Sequence, residues 1–264
     1  MREAALSGSC SWEPGFTAEV RHAGAELFVG TWRCPGQQRA WAREESRYLA
    51  LDLQQAGAHL RAFGRDRRVV DLTVAAAHCA GDEYAMASPG AAPQRATSIL
   101  VRGELAQELA GLVRGFHHVP AAAALAHARL CRSTDALETE EIALALFASL
   151  VPAPRPEVTP ARRRLAEEMQ HVIATRHRDR ITLREIAGGR SPFHAARVFR
   201  RVVGETVHRH LNRVRLRAAS LELEPGRLTE IALAAGFSSH SHFTHAFRAE
   251  FGRAPSSVAR HRRR

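Results

Sequence analysis

The sequence contains no lysine, so every basic side chain other than histidine is an arginine. It has no apolar run approaching the eighteen or so residues of a membrane-spanning helix, so no span is expected, and no membrane partner is expected either. Cysteine is scarce. Cys10, Cys34, Cys79 and Cys131 stand too far apart for zinc-ligand spacing or a disulfide framework, so reduced thiols in a cytoplasm are expected, with no metal and no cofactor. The opening stretch, MREAALSGSCSWEPGF, has no apolar core and carries an acid and a tryptophan early, so no secretory signal is expected.

What the sequence does contain is charge, unevenly placed. Residues 1–154 hold 15 Arg against 17 Asp and Glu, a net of −2, whereas residues 155–264 hold 23 Arg against 10, a net of +13. Such an excess in one small region fits a polyanion partner, bound with a steep dependence on salt. A length of 264 residues accommodates two modest domains, each with its own core. The break is expected at VPAPRPEVTP, residues 151–160, where four prolines disfavour helix and favour an extended linker. The expected organisation is therefore one domain over 1–150, a linker over 151–160 and a strongly basic domain over 161–264.

The first half alternates like strands at 25–32, 47–54, 67–74 and 96–103, with a loop expected over 80–93. It then turns helical at 104–116, 121–130 and 138–151, with Ser133 or Thr134 as the cap of the third helix. Several short strands in succession imply a small antiparallel sheet or barrel. Trp12, Trp32, Trp41, Phe28 and Tyr48 are candidates for a pocket lining, although tryptophans in a small barrel more often serve as core.

Beyond the linker everything is helical. Leu165, Met169, Val172 and Ile173 share a face, and TLRE at 182–185 is a capping box. Ser191 with Pro192 opens a further helix. Residues 210–223 form a long amphipathic helix ending before Pro225-Gly226, and a last helix runs from Ser239 to Phe251.

Two stretches repeat. SPFHAARVFRRVVG (191–204) aligns without a gap to SHSHFTHAFRAEFG (239–252), matching at Ser191/Ser239, His194/His242, Phe199/Phe247, Arg200/Arg248 and Gly204/Gly252. Each is preceded by Glu-Ile-Ala, at 185–187 and 230–232. Helix, tight turn, capped second helix and glycine stop, twice over, is a pair of helix-turn-helix units. The whole chain thus reads as α+β: a β-rich N-terminal half with helices, followed by an all-α half with two helix-turn-helix motifs.

Helical spacing assigns roles within the two units. Ile186, Ala195, Phe199, Ile231, Phe237, Phe243 and Phe247 fall on the inward side as motif core. His240, Ser241, Thr244 and His245 fall on another face, as do Phe193, Ala196 and Arg197 in the first unit. Small and hydrogen-bonding side chains on a basic domain suit base edges in a major groove, and Arg197 suits a guanine through paired bonds to O6 and N7. Arg200, Arg201, Arg248, Ser191 and Ser239 are candidates for phosphate contacts, which position without reading. A metal reading of the histidines fails on spacing: His242 is two residues from His240 and three from His245, and only Glu250 supplies a nearby carboxylate.

These residues resemble the AraC/XylS family of bacterial transcriptional regulators over about residues 160–260. The resemblance is sharpest at IALAAGFSSHSHFTHAFRAEFGRAPS (231–256) and extends to SPFHAARVFRRVVGETVHRHLNRVRLRAA (191–219). It implies two helix-turn-helix units held by a linker helix, reading successive major-groove faces, behind an effector domain that is often a cupin-like barrel plus helices. Two departures stand out. Ile186 to Ser191 is five steps where Ile231 to Ser239 is eight, predicting a first helix shortened by about half a turn or an altered turn. Ala195 also stands where Phe243 stands in the second unit, a loss of about 2–5 kcal/mol of packing if nothing refills the space.

The expectation is a non-enzymatic, sequence-specific regulator of transcription in the cytoplasm, associated with the nucleoid and modulated through its N-terminal half. Its expected partners are double-stranded DNA, RNA polymerase, an effector the sequence does not identify, and a second copy bound through the N-terminal half. Two rivals remain: an architectural DNA coater with little base discrimination, and a DNA-binding protein coupled to a cysteine- or metal-dependent enzymatic N-terminal domain. The second would draw on Cys79 beside His78 and acids, or on His22, His59 and His78, of which no two sit at ligand spacing.

Overall fold

The computed structural model describes residues 15–37, 40–88, 90, 92–152 and 158–259. Cys10, Trp12, the first fourteen residues of the opening stretch and residues 153–157 of the proline-rich stretch lie outside them. The chain divides into two compact units, Met1–Arg155 and Pro156–Arg264.

In the first unit the strands are β1 (Thr17–Ala23), β2 (Leu27–Cys34), β3 (Ala42–Glu45), β4 (Leu49–Ala56), β5 (His59–Phe63), β6 (Asp66–Val70), β7 (Val74–His78), β8 (Glu83–Ala87) and β9 (Gln94–Val101). Helix α1 (Gly103–Val113), strand β10 (Gly115–His118), helices α2 (Ala121–Leu130) and α3 (Ala136–Ser149), and the short β11 (Val151–Pro152) follow. Seven strands form one sheet in the order β1-β2-β9-β4-β7-β10-β11, and four form a second in the order β3-β8-β5-β6, with antiparallel pairing throughout.

Alternation decides which side chain goes where. Along β4, Leu49, Leu51 and Leu53 are buried on the helix side, where Thr97, opposite Leu53, bonds His127 of α2 at 2.8 Å. Asp52 and Gln54 point the other way, toward the four-stranded sheet. There Arg61 donates to Asp52 Oδ2, His78 Nε2 lies 3.4 Å from the same oxygen, and Ser98 donates to Oδ1. Burial would raise the Asp52 carboxyl, but Arg61, His78 and Ser98 together hold it far below the usual carboxylate range. Trp32 is fully buried and donates to Ser98 Oγ at 3.1 Å, so it is core; Phe28 and Tyr48 pack against Ala50 and Leu100, while Trp41 is exposed.

The structure corrects several expectations in this half. The segment 67–74 is two strands, because Asp71 turns the chain: its Oδ1 accepts from the amide and the hydroxyl of Thr73. The expected loop at 80–93 contains β8, and the helix expected through 116 stops at Val113, with Gly115 at φ +105 opening β10. Strands β1, β3 and β5 were not expected; the first two carry exposed polar residues at alternate positions, which hides them from a hydrophobic pattern. The cap of α3 is Asp135, which accepts from the amide of Glu138, rather than Ser133 or Thr134.

The second unit comprises α4 (Pro160–Arg176), α5 (Leu183–Ile186), α6 (Pro192–Val203), α7 (Val207–Glu222), α8 (Leu228–Ala234), α9 (His240–Phe251) and α10 (Pro255–Val258). Thr159 caps α4, with Pro160 in its first turn. Leu165, Met169 and Ile173 are buried, and Val172 is half-buried. Helix α7 begins three residues before the expected start, capped by Thr206, and ends at Glu222.

Candidate nucleic-acid interface

Helices α5 and α6 form one helix-turn-helix and α8 and α9 the other. Local chemistry sets the ends of each. Thr182 and Glu185 form the reciprocal capping box of α5. Ser191 and Ser239 cap α6 and α9, accepting from the amides of His194 at 3.4 Å and His242 at 3.1 Å. Both second helices stop at a glycine in the left-handed region, Gly204 at φ +86 and Gly252 at φ +70, a conformation that disfavours any side chain.

The two first helices differ in length by the same three residues as the spacing. Helix α5 has four residues and α8 seven, a difference of nearly a full turn rather than half of one. The turn after α5 is made by Gly188 and Gly189, both left-handed at φ +59 and +79, with Arg190 tied back to Glu168 of α4 at 2.7 Å.

The inward faces are closed. Ile186, Ala195, Phe199, Ile231, Phe237, Phe243 and Phe247 are all buried, and Ala195, Phe199, Phe243 and Phe247 are completely so. The rings of Phe237, Phe243, Phe247 and Phe251 stack in series, with successive centroids 4.4–5.5 Å apart. His242 leans on this series edge-on to Phe237 and shares a 3.1 Å hydrogen bond with Ser238 Oγ, which occupies it at the turn.

The outward faces carry the candidate readers. On α9, His240, Ser241 and His245 are exposed and Thr244 is half-buried, its hydroxyl 3.4 Å from His240 Nε2. On α6, Phe193 is 74% exposed, the Arg197 guanidinium lies 5.7 Å from the centre of its ring, and Ala196 beside them is half-buried. A large apolar ring left in solvent with an arginine against it is costly unless something else covers it.

The arginines of this unit differ in their surroundings. Arg176, Arg178, Arg190, Arg213, Arg215, Arg217 and Arg227 are engaged within the protein. Among the described residues, Arg200, Arg201 and Arg248 are exposed and make no ion pair, which leaves their charge available to an outside anion. The side-chain oxygens of Ser191 and Ser239 accept cap bonds, while each hydroxyl hydrogen is still free to be donated.

Among its described residues the first unit offers no comparable constellation. His22 pairs with Glu140 at 2.8 Å, His59 with Gln54 at 2.6 Å and His78 with Ser46 at 2.7 Å, so the three do not converge. Among the described residues no three His, Cys, Asp or Glu side chains gather as a metal requires. Cys34, Cys79 and Cys131 are not joined by disulfides among the described residues. No helix of the described residues is long and apolar enough to cross a membrane. Sequence reasoning missed the internal role of Arg213 and Arg215 on α7, because a charged residue on an amphipathic helix looks the same whether its partner is water or another helix.

Residues 187–261 match the model of a helix-turn-helix domain family. The chain is 38% identical over 103 residues to the HTH-type transcriptional regulator GlxA of Rhizobium meliloti (strain 1021), a match covering 38% of this chain and 31% of that protein. The chain therefore spans about a third of the length of that curated relative. Among solved structures, the C-terminal domain of AraT, a response regulator from Geobacillus stearothermophilus, is 22% identical and covers 41% of this chain and 93% of its own, with a TM-score of 0.33. A cupin domain from Bordetella pertussis Tohama I is 17% identical and covers 34% of this chain and 97% of its own, with a TM-score of 0.28.

Proposed function

We propose that this chain, whose residues 187–261 form a helix-turn-helix domain of the AraC type, is a sequence-specific regulator of transcription that places α6 and α9 in successive major grooves of one DNA duplex. The observation that carries this reading is the pair of capped second helices, each with a closed apolar face and an open polar face, inside a region of net charge +13. His240, Ser241, Thr244 and His245 read one set of base edges. Phe193, Ala196 and Arg197 read the other, with the ring on a thymine methyl and the guanidinium on a guanine. Arg200, Arg201 and Arg248, with the hydroxyls of Ser191 and Ser239, hold phosphates. The near-neutral first unit, with its own core, modulates this activity through an effector, a second copy of the chain or RNA polymerase, and contributes little to the attraction for DNA.

Selection from random duplexes at near-physiological salt tests the reading. Two enriched boxes about one helical turn, roughly 34 Å, apart are expected. Arg197→Ala should then relax one base position at a loss of about 1–3 kcal/mol, whereas Arg248→Ala should weaken all sequences alike and lower the salt slope by about 1. A single box would remove α6 as a reader. Binding without any enrichment, lost as salt rises, would sink the regulator reading in favour of a DNA coater.

A further inference from the structure

We infer that Arg213 is a positioning residue: it sets how the two recognition helices stand to one another and, through that, which spacing between DNA boxes the chain accepts. This rests on the regulator reading above. Arg213 lies midway along α7, the helix that joins the two motifs. Its Nη1 donates to Glu205 Oε1 at 3.0 Å, and its Nε faces Glu250 Oε1 across 3.3 Å, an ion pair without the alignment of a hydrogen bond. Glu205 directly follows Gly204, the stop of α6, and Glu250 sits in the last turn of α9, two residues before the stop at Gly252. One guanidinium therefore grips the C-terminal ends of both recognition helices.

The surroundings make this grip more than a surface contact. The side chains of Arg213, Glu205 and Glu250 are only 24%, 10% and 19% exposed, so solvent screens them weakly. Glu205 also faces His210 Nδ1 at 2.9 Å and Arg209 Nε at 3.7 Å, and Arg217, itself buried, faces Glu250 at 3.6 Å. Burial would raise the Glu205 carboxyl, but His210, Arg213 and Arg209 bring it below its ordinary value, so it is ionised at neutral pH. A guanidinium is planar with donors in fixed directions, so its aligned bond sets the angle to Glu205, while its delocalised charge draws Glu250 to the other edge of the same plane.

The consequence for DNA follows from helical geometry. One base pair more or less between two boxes shifts the second by about 3.4 Å and turns it by about a tenth of a revolution. A frame that holds α6 and α9 rigidly accepts one spacing, whereas a loosened frame accepts several with lower affinity for each. If packing along α7 alone kept the helices in place, the arginine would be dispensable for this selectivity.

The test uses the full-length chain and duplexes carrying both selected boxes, with the spacer varied by up to two base pairs either way. The wild-type chain is expected to show a sharp optimum, losing about tenfold per base pair. Arg213→Gln should lose about tenfold at the optimum and only about threefold between neighbouring spacers, with binding to a duplex carrying the α9 box alone unchanged. Glu250→Gln breaks the α9 end of the tie, together with the Arg217 contact, and should flatten the profile at least as much, and adding Arg213→Gln to it should flatten the profile no further. It also carries the test if Arg213→Gln does not fold. An equally sharp profile in both variants, or a uniform loss at every spacing, overturns the inference while leaving the regulator reading intact. A wild-type chain indifferent to spacing overturns the inference and the two-groove reading together, and the unmodified protein is enough to show it.

Discussion

Burial would push the Cys131 thiol up, yet the His127 ring one turn earlier on α2, the hydroxyl of Thr97 and the charge of Arg21 draw it down from 9.0 to about 7. Cys79 moves the opposite way, raised by burial and by Asp82. Neither could be told from the sequence, since Cys79 has histidine and acids as chain neighbours, while Cys131 has arginines on both sides and its histidine four residues back. The linkage has a definite sign. A depressed thiol binds fewer protons in the folded chain than in the unfolded one between about pH 7 and 9, so it contributes stability above that window that is lost as pH falls through 7. Urea midpoints taken across this range should rise with pH in the wild-type protein, and that increment should vanish in Cys131→Ser; an unchanged increment would place its source elsewhere.

At the scale of elements, the two helix-turn-helix units share their caps and glycine stops but not their insides. Spacing alone marked the first unit as short, and the structure shows where the shortage falls: in α5, with two left-handed glycines making the turn. The fully buried Ala195, on the helix that packs against α4, occupies the place of Phe243. If α4 and α6 have closed over the smaller side chain, Ala195→Phe overfills the contact and should destabilise the second unit by about 1–3 kcal/mol. A rise in the urea midpoint would show instead that a void was left there. The pattern of apolar positions could name Ala195 as core, but not whether its neighbours had moved to meet it, because periodicity records direction and not distance.

For the molecule as a whole, two compact units with separate cores predict two unfolding transitions that single substitutions move independently. Arg61→Ala leaves the Asp52 carboxylate buried without its principal cation, and should lower only the first unit's transition, by about 3–5 kcal/mol. Gly236→Ala acts in the second unit alone. Gly236 has φ +87, and an added Cβ would lie 2.9 Å from Arg215 Nε, the arginine that donates to the carbonyls of His177 and Asp179 just past the end of α4. Its expected loss is about 1–3 kcal/mol. Calorimetry in which either variant shifted both transitions would contradict this independence. By itself the sequence determined the helical motifs, their caps, their repeat, the α+β division and the concentration of positive charge in the second half, because each is written in local spacing or composition. The β-rich half was legible only as a class: its edge strands are polar, and its buried Asp52, Arg61 and His78 come from three different strands. Tertiary structure alone decided which arginines are committed within the protein and which face outward. A guanidinium's partner is chosen by the packing of α7 against α4 and α9, at separations no local pattern encodes.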